Sequence, residues 1–259
     1  MTTSSPTVFE LVDEVIAPLT RAVPRRLSVM QFYDPDADPA SPPGLPLADL
    51  AAEAARHSYW HDRLAELGLS EGGRLVPGMP ELLDAMRRGD VRGVLTGVFA
   101  GRPEPVQVQF FGGKQHAALI SRVGDQAVLR TGSAEDLVRL VLEQLPDRPP
   151  GRGDVLRLDA GPLGVLGPEC AAEVAHIREL GARPRLGTVL VDLSVGDKVV
   201  ANHPGGTYAL LDTADGRHAL AGSVDCAGNW SLLCRPISTA KAGEWLAESI
   251  HQHEEPGCF

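Results

Sequence analysis

The chain has 259 residues and a mass of 27.5 kDa, the size of one large domain or of one domain with two lobes. Lys and Arg total 24 against 34 Asp and Glu, a formal charge of −10, which excludes the basic footprint that a nucleic-acid binder needs to displace counterions. The acid excess is even, with 20 acids and 15 bases in residues 1–150 and 14 and 9 in residues 151–259, so no basic module hides behind an acidic tail. The 43% hydrophobic and 22% charged fractions are those of a globular chain rather than a disordered one.

The opening residues Met1–Pro6 are polar, and the apolar stretch Val8–Leu19 is broken by Glu10, Asp13 and Glu14. That is neither a signal peptide nor a membrane helix, and a cytoplasmic location without membrane insertion is expected. The cysteines Cys170, Cys226, Cys234 and Cys258 form no C-x-x-C and read as free thiols, although a Cys226–Cys234 bridge is conceivable on position. No nucleophile elbow, phosphate loop, dinucleotide fingerprint or zinc-protease helix occurs in the sequence. The expectation is therefore no enzyme and no cofactor.

In chain order, Val8, Leu11, Val12, Val15, Ile16 and Leu19 recur at helical spacing, with Pro18 expected to kink or end the helix. Leu27–Tyr33 is a candidate strand, and the proline-rich Asp34–Pro46 reads as a loop. Leu47–Leu67 carries an apolar stripe and is stopped by Gly68. A turn at Gly72–Gly73 precedes a short helix over Pro80–Arg88.

The period then changes to two. Strands are predicted near Val106–Phe110, Ala117–Arg122 and Gln126–Thr131, followed by a helix capped at Ser133 with Leu137, Leu140, Val141 and Leu145 on its apolar face. Pro149-Pro150-Gly151 is a stiff connector, and Asp154–Leu158 is a further strand. The second part repeats the order. Pro168–Leu180 is a helix stopped by Gly181. Strands follow at Gly187–Leu193, Thr207–Asp212, Arg217–Ala221 and Asn229–Cys234, and Ser238 caps a closing helix with Trp245, Leu246 and Ile250 on one side.

The segment from Gln115 to Val138 lies over that from Arg217 to Trp245, matching His116 to His218 and the cap Ser133 to Ser238. Each reads strand, turn, strand, capped helix. A duplication predicts an α+β fold, a mostly antiparallel central sheet with helical bundles at its ends or on one face. Two pseudo-two-fold-related halves, about 1–150 and 151–259, would share one domain.

With that order assembled, the chain resembles the EspG family of type VII (ESX) secretion-associated proteins of actinobacteria. The likeness runs through Leu64–Leu69, Gly72–Leu75 and Gly124–Leu129, then the helix Asp136–Pro146 and the connector Pro150–Gly153. It closes with Leu211-Asp-Thr-Ala-Asp-Gly-Arg217, Asn229-Trp230, Arg235-Pro236 and the last helix, about three quarters of the chain in all. Two features depart from the pattern. Residues 1–45 align poorly, and His218 stands where the family has an aromatic residue after the late Gly-Arg. The resemblance implies a single EspG-like domain acting as a non-enzymatic chaperone. Its partner would be the helical tip of a PPE-type protein, paired with a PE-type protein, kept soluble for export; a weak homodimer stays open. An acidic immunity protein that neutralises a toxin is the alternative.

Two segments are candidate partner surfaces. Val94, Leu95, Val98 and Phe99 form an apolar run among glycines, read first as a buried strand and second as cargo surface. Asn229, Trp230, Leu232 and Trp245 lie in or beside the last strand and helix, where aromatic residues serve either a core or a binding hot spot. His57 and His61 have zinc-compatible i, i+4 spacing but no third ligand, so a packed helix face is the simpler reading, and no metal is expected. His251 and His253 read as a solvated tail. A Ser/His/Asp set drawn from Ser121 or Ser223, His116 or His218, and Asp125 or Asp225 is no more than chance would give.

Overall fold

The computed structural model describes residues 6–22, 62, 64–66, 68–123, 126–195, 207–224 and 227–252. Helix α1 spans Val8–Ala22 and runs through Pro18 rather than stopping there. The strand expected over 27–33, the loop over 34–46 and most of the helix over 47–67 lie outside the described residues. The end of that helix is visible and finishes as its sequence requires. Gly68 has φ 70°, its N–H bonds to the Ala65 carbonyl at 3.0 Å, and the Leu69 N–H reaches the Leu64 carbonyl at 2.7 Å. This is a Schellman stop, in which glycine takes the left-handed position.

A two-stranded hairpin, β1 (Ser70–Glu71) and β2 (Arg74–Leu75), turns at Gly72–Gly73. Next come helix α2 (Met79–Arg88) and the strands β3 (Val91–Phe99), β4 (Val106–Gly112), β5 (His116–Val123) and β6 (Gln126–Ser133). A 3-10 turn at Ala134–Asp136 leads into helix α3 (Leu137–Leu142). Strand β7 (Leu156–Ala160) and a 3-10 turn at Pro168–Cys170 precede helix α4 (Ala171–Ala182). Strands β8 (Arg185–Val195), β9 (Thr207–Thr213), β10 (Gly216–Val224) and β11 (Trp230–Pro236) then lead to helix α5 (Thr239–Gln252).

Nine strands join one sheet in the order β6-β5-β4-β3-β8-β9-β10-β11-β7, and every neighbouring pair is antiparallel. The duplication is explicit in this order. Each half reads helix, four-stranded meander, helix, and the first strands of the two meanders, β3 and β8, meet along the middle from Val91↔Val195 to Phe99↔Gly187. The matched histidines occupy equivalent places near the starts of β5 and β10. The capping serines do not. Ser133 pairs directly with His116, whereas Ser238 lies two residues beyond Pro236, the partner of His218.

Helices cover both faces, not one. The alternating set Val91, Leu95, Phe99, Val189, Val191 and Leu193 packs under α3 and α5. On the other face α2 covers Phe111, Ala118 and Ile120. In the second half α1 and α4 together cover Leu158, Ala209, Leu211, Leu220 and Leu232. The first helix of the chain therefore belongs, in space, to the second half. Gly181 does not end α4; it lies in the last turn, where an added Cβ would come within 3.2 Å of Val15 on α1. Its use is close approach. The half-buried Gly181 carbonyl accepts from the Arg185 guanidinium, which also bonds the Val15 carbonyl and so ties the two helices.

The most deeply buried charge is Arg217. Its Nε and Nη2 donate to the two Asp212 carboxylate oxygens at 2.6 and 2.9 Å, and both side chains are essentially solvent-free. The remaining guanidinium groups reach the Thr239 hydroxyl at 2.9 Å and the Pro146 carbonyl at 3.0 Å. The Arg217 backbone bonds Pro149, Gly151 and Ile237. Asp212 and Arg217 are the polar ends of the Leu211–Arg217 segment, so this turn is an ion-pair clasp between the inter-half connector and the start of α5.

The other helix of that face starts at a surface network. The Asp136 carboxylate accepts from the Ser133 N–H and hydroxyl and from Arg139. These bonds, Ser133 first, lower it from the usual 3.8 to about 2.

Two outcomes follow for stability. Arg217→Ala should cost about 3–5 kcal/mol in urea unfolding, because it strands a buried carboxylate, while the paired Arg217→Met, Asp212→Leu change costs less. A loss no larger than that of the exposed Arg88→Ala control would remove the clasp from the account. Because the folded-state value of Asp136 is depressed, its contribution is complete above 3.8 and fades as pH falls toward about 2. The urea-midpoint difference between wild type and Asp136→Asn should shrink over that window and stay flat above it.

Candidate functional site

The N-terminus of α1 is built by a reciprocal cap. The Glu10 N–H donates to the Thr7 hydroxyl at 3.1 Å, and the Glu10 carboxylate accepts from the Thr7 N–H at 2.8 Å. This cap fixes Phe9 at the helix start, on the side away from Leu11 and Val15. The chain before it lies along the loop that follows β7. Leu166 N–H bonds the Pro6 carbonyl at 3.0 Å, Val8 N–H bonds the Gly164 carbonyl at 2.8 Å, and Thr7 bridges to Val165. The Phe9 and Trp230 rings meet edge to face at 4.7 Å, and the Trp230 indole donates to the Pro162 carbonyl at 3.1 Å. A Cβ at Gly164 would fall 2.9 Å from the Phe9 ring and 3.8 Å from Trp230, so glycine lets both rings close on the loop.

This framework leaves apolar side chains in water. Leu163 is 81% exposed, Val165 45% and Phe9 42%. Half of the exposed large apolar side chains among the described residues thus gather around one loop. Beside them a shallow cleft of about 630 Å3 is lined by Arg157, Asp159, Val165, Glu169, Ser223 and Trp230, among others. Arg157 pairs with Asp159 at 2.9 Å, and Ser223 and Ser231 share a hydrogen bond at 2.6 Å. Glu169 and Glu173 border Cys170 and have no ion pair among the described residues. Burial raises the Cys170 thiol, and the Glu169, Glu173 and Asp159 carboxylates raise it further.

The eight residues singled out in the sequence do not form one site. Leu95 and Leu232 are fully buried and Phe99 nearly so, Leu95 and Phe99 under α3 and α5 and Leu232 under α1 and α4. A partner reaches none of these three without opening the core. Val94 and Val98 are half-buried on the opposite face of β3 from Leu95. Trp245 is half-buried on α5. It meets Tyr208 edge to face at 4.8 Å under the Arg235 guanidinium, 4.5 Å above its ring, and borders a cavity of about 30 Å3. Asn229 and Trp230 do line the cleft.

Sequence reasoning passed over Phe9, Leu163 and Val165. Leu163 and Val165 sit in a loop with no periodicity, and Phe9 falls off the apolar stripe of α1. The available signal was Thr7-Val-Phe-Glu10, a capping-box pattern that fixes the helix start at Val8 and so places Phe9 in the first turn, off the stripe.

The other candidates are spread apart. His218 is buried and its Nε2 lies 3.0 Å from the Arg152 carbonyl, while Ser223 is five positions along the same strand, roughly 17 Å away at strand rise. His116 and Ser121 are separated likewise on β5. His57, His61, His253, Asp125, Asp225, Cys226 and Cys258 lie outside the described residues. His251 is exposed at the end of α5. Among the described residues no three His, Cys, Asp or Glu side chains gather as a metal site, and no helix is long and apolar enough to cross a membrane. Cys170 and Cys234 are free thiols, and burial pushes Cys234 up to about 11.

The Phe9–Leu163–Val165 cluster is exposed apolar surface held in place by backbone bonds beside the β7 edge of an α+β sheet. The EspG family profile matches residues 42–248, most of the chain, and the protein belongs to the EspG family. Among solved structures, the chain is similar to the Mycobacterium tuberculosis type VII secretion system chaperone EspG5, solved in complex with a PE25–PPE41 dimer. The two are 13% identical with a TM-score of 0.49, and the match covers 77% of this chain and 86% of that one. No curated protein sequence matches.

The thiol chemistry gives a direct check on the core. Iodoacetamide at pH 8 should leave Cys234 unmodified in the native protein and alkylate it in urea, as read by peptide mass mapping. Native alkylation at the rate of an exposed thiol would contradict its placement under α1 and α4.

Proposed function

We propose that this protein is a cytoplasmic escort of the type VII secretion system that binds a PE/PPE-type helical pair and keeps it soluble for export. Membership of the EspG family over residues 42–248 carries the reading. The role is binding, not catalysis. A secreted helical pair with an exposed apolar end would self-associate in water, and a cover removes that end from solvent until export. The exposed Phe9, Leu163 and Val165 supply apolar area for such a cover. Each Å2 of apolar surface removed from water is worth about 25 cal/mol before the costs of association, so a contact of a few hundred Å2 holds the cargo yet releases it.

Co-expression with each PE/PPE pair encoded in the same genome should yield a 1:1:1 complex on size-exclusion chromatography with at least one pair. The cognate pair alone should be less soluble. If every pair elutes apart from this protein and is equally soluble without it, the escort reading is wrong.

A further inference from the structure

Carboxylates border the cluster around Phe9, Leu163, Val165 and Trp230. Glu10 follows Phe9 and closes the α1 cap with Thr7, Asp159 and Glu169 line the adjoining cleft, and Glu173 lies in the first turn of α4. Two guanidinium groups are close by, and each is already engaged: Arg157 with Asp159 at 2.9 Å, and Arg178 with Glu14 through a fork at 2.8 and 2.9 Å. Glu169 lines the same cleft as Val165 and Trp230. Glu173 holds one carboxylate oxygen buried without a hydrogen-bond donor among the described residues. The chain as a whole carries a formal charge of −10.

We infer that the Phe9–Leu163–Val165–Trp230 surface docks a helix end of the cargo that presents an apolar side chain next to a lysine or arginine. The inference rests on the escort reading and names the chemistry of its partner. The apolar side chain of the partner seats against Leu163 and Val165. Its cation reaches Glu169 across the cleft and supplies a positive partner for Glu169 and Glu173, which form no ion pair among the described residues. An acidic helix end with the same apolar residues is rejected, because it would bring like charges together as water leaves the contact. The surface is pre-organised for this: Thr7, Val8 and Leu166 hold the loop and the helix start together by backbone bonds, so little order is lost on docking.

Two measurements separate this surface from the escort reading. The first uses two synthetic helical peptides with one apolar face in common, one flanked by Lys and one by Glu, titrated by fluorescence anisotropy. The Lys-flanked peptide should bind at least tenfold more tightly, with an affinity that falls as salt rises. Leu163→Glu with Val165→Glu should lower that binding at least tenfold, and Glu169→Lys should reverse the preference. Leu75→Glu, on the distant hairpin, should change nothing. Circular dichroism and thermal melts establish that each variant is folded.

The second uses the co-purified PE/PPE complex with the same variants. Capture should fall at least tenfold in the Leu163/Val165 double variant and stay unchanged in Leu75→Glu. Capture by the folded double variant at wild-type affinity, or equal binding of both peptides, overturns the inference while leaving the escort reading in place. Leu163-dependent binding of the Lys peptide without capture of any PE/PPE pair supports the surface and removes the escort reading.

Discussion

Burying a guanidinium and a carboxylate together is tolerable only when nearly every donor and acceptor finds a partner, and the rest of this structure is organised around one such pair. Arg217 and Asp212 lie back to back on β10 and β9 where their turn closes. The fork between them leaves donors for Thr239 and Pro146, and the backbone of Arg217 takes up Pro149, Gly151 and Ile237. Three separate pieces of chain thus converge on one residue: the connector from the first half, the hairpin of the second, and the start of α5. Those pieces decide where α5 lies over the sheet and hence how Leu246 and Ile250 meet Val191 and Leu210 across it. An apolar residue at 217 could fill the space but could not fix three backbones in one register. The specificity comes from the number of bonds that converge, more than from the strength of the ion pair.

The duplicated plan builds a wide sheet economically. Among the described residues, two meanders joined at β3 and β8 leave two outer strands, β6 and β7, without a sheet neighbour on one side. The β7 end is partly protected. Leu166 bridges to Ala160, and the following turn brings Cys170 to the Asp159 carbonyl. The same loop that protects this edge holds Leu163 and Val165 in water. Edge protection and the exposed apolar cluster are two results of one chain path.

Much of the fold was legible because the repeating elements are strongly periodic. Alternation marked β4 to β6 and β8 to β11, Gly68 marked a helix end, and Ser238 a helix start, its hydroxyl accepting from the Lys241 N–H at 3.1 Å. The pairing of the two halves followed from matching His116 to His218. What did not show was anything depending on contact between distant segments. Pro18 lies within α1, and Gly181 lies inside the last turn of α4 because that turn presses against Val15 of α1. The same limit applies to the surface. Leu95 read first as core and only second as partner surface, and register assigns both it and Leu232 to covered faces, whereas Leu163 carries no pattern at all. Trp230 was marked by its size, and its neighbour Phe9 lies 221 positions earlier in the sequence.

Helix α1 is made long before most of the surface that it covers. It emerges from the ribosome with Leu11, Val15 and Ile16 uncovered, and apart from β3 the strands and helix it packs against span residues 156–236, far later in the chain. At about 5–20 residues per second, roughly 10–40 seconds of synthesis separate α1 from its complete docking surface. The first half can meanwhile assemble α2 to α3 with contacts of its own, but the second half cannot close one of its faces until the beginning of the chain returns to it. Cutting the protein at the connector therefore does not give two independent units. A fragment starting at residue 151 would keep α4 on the Leu211–Leu220–Leu232 face but lose the cover that α1 gives it.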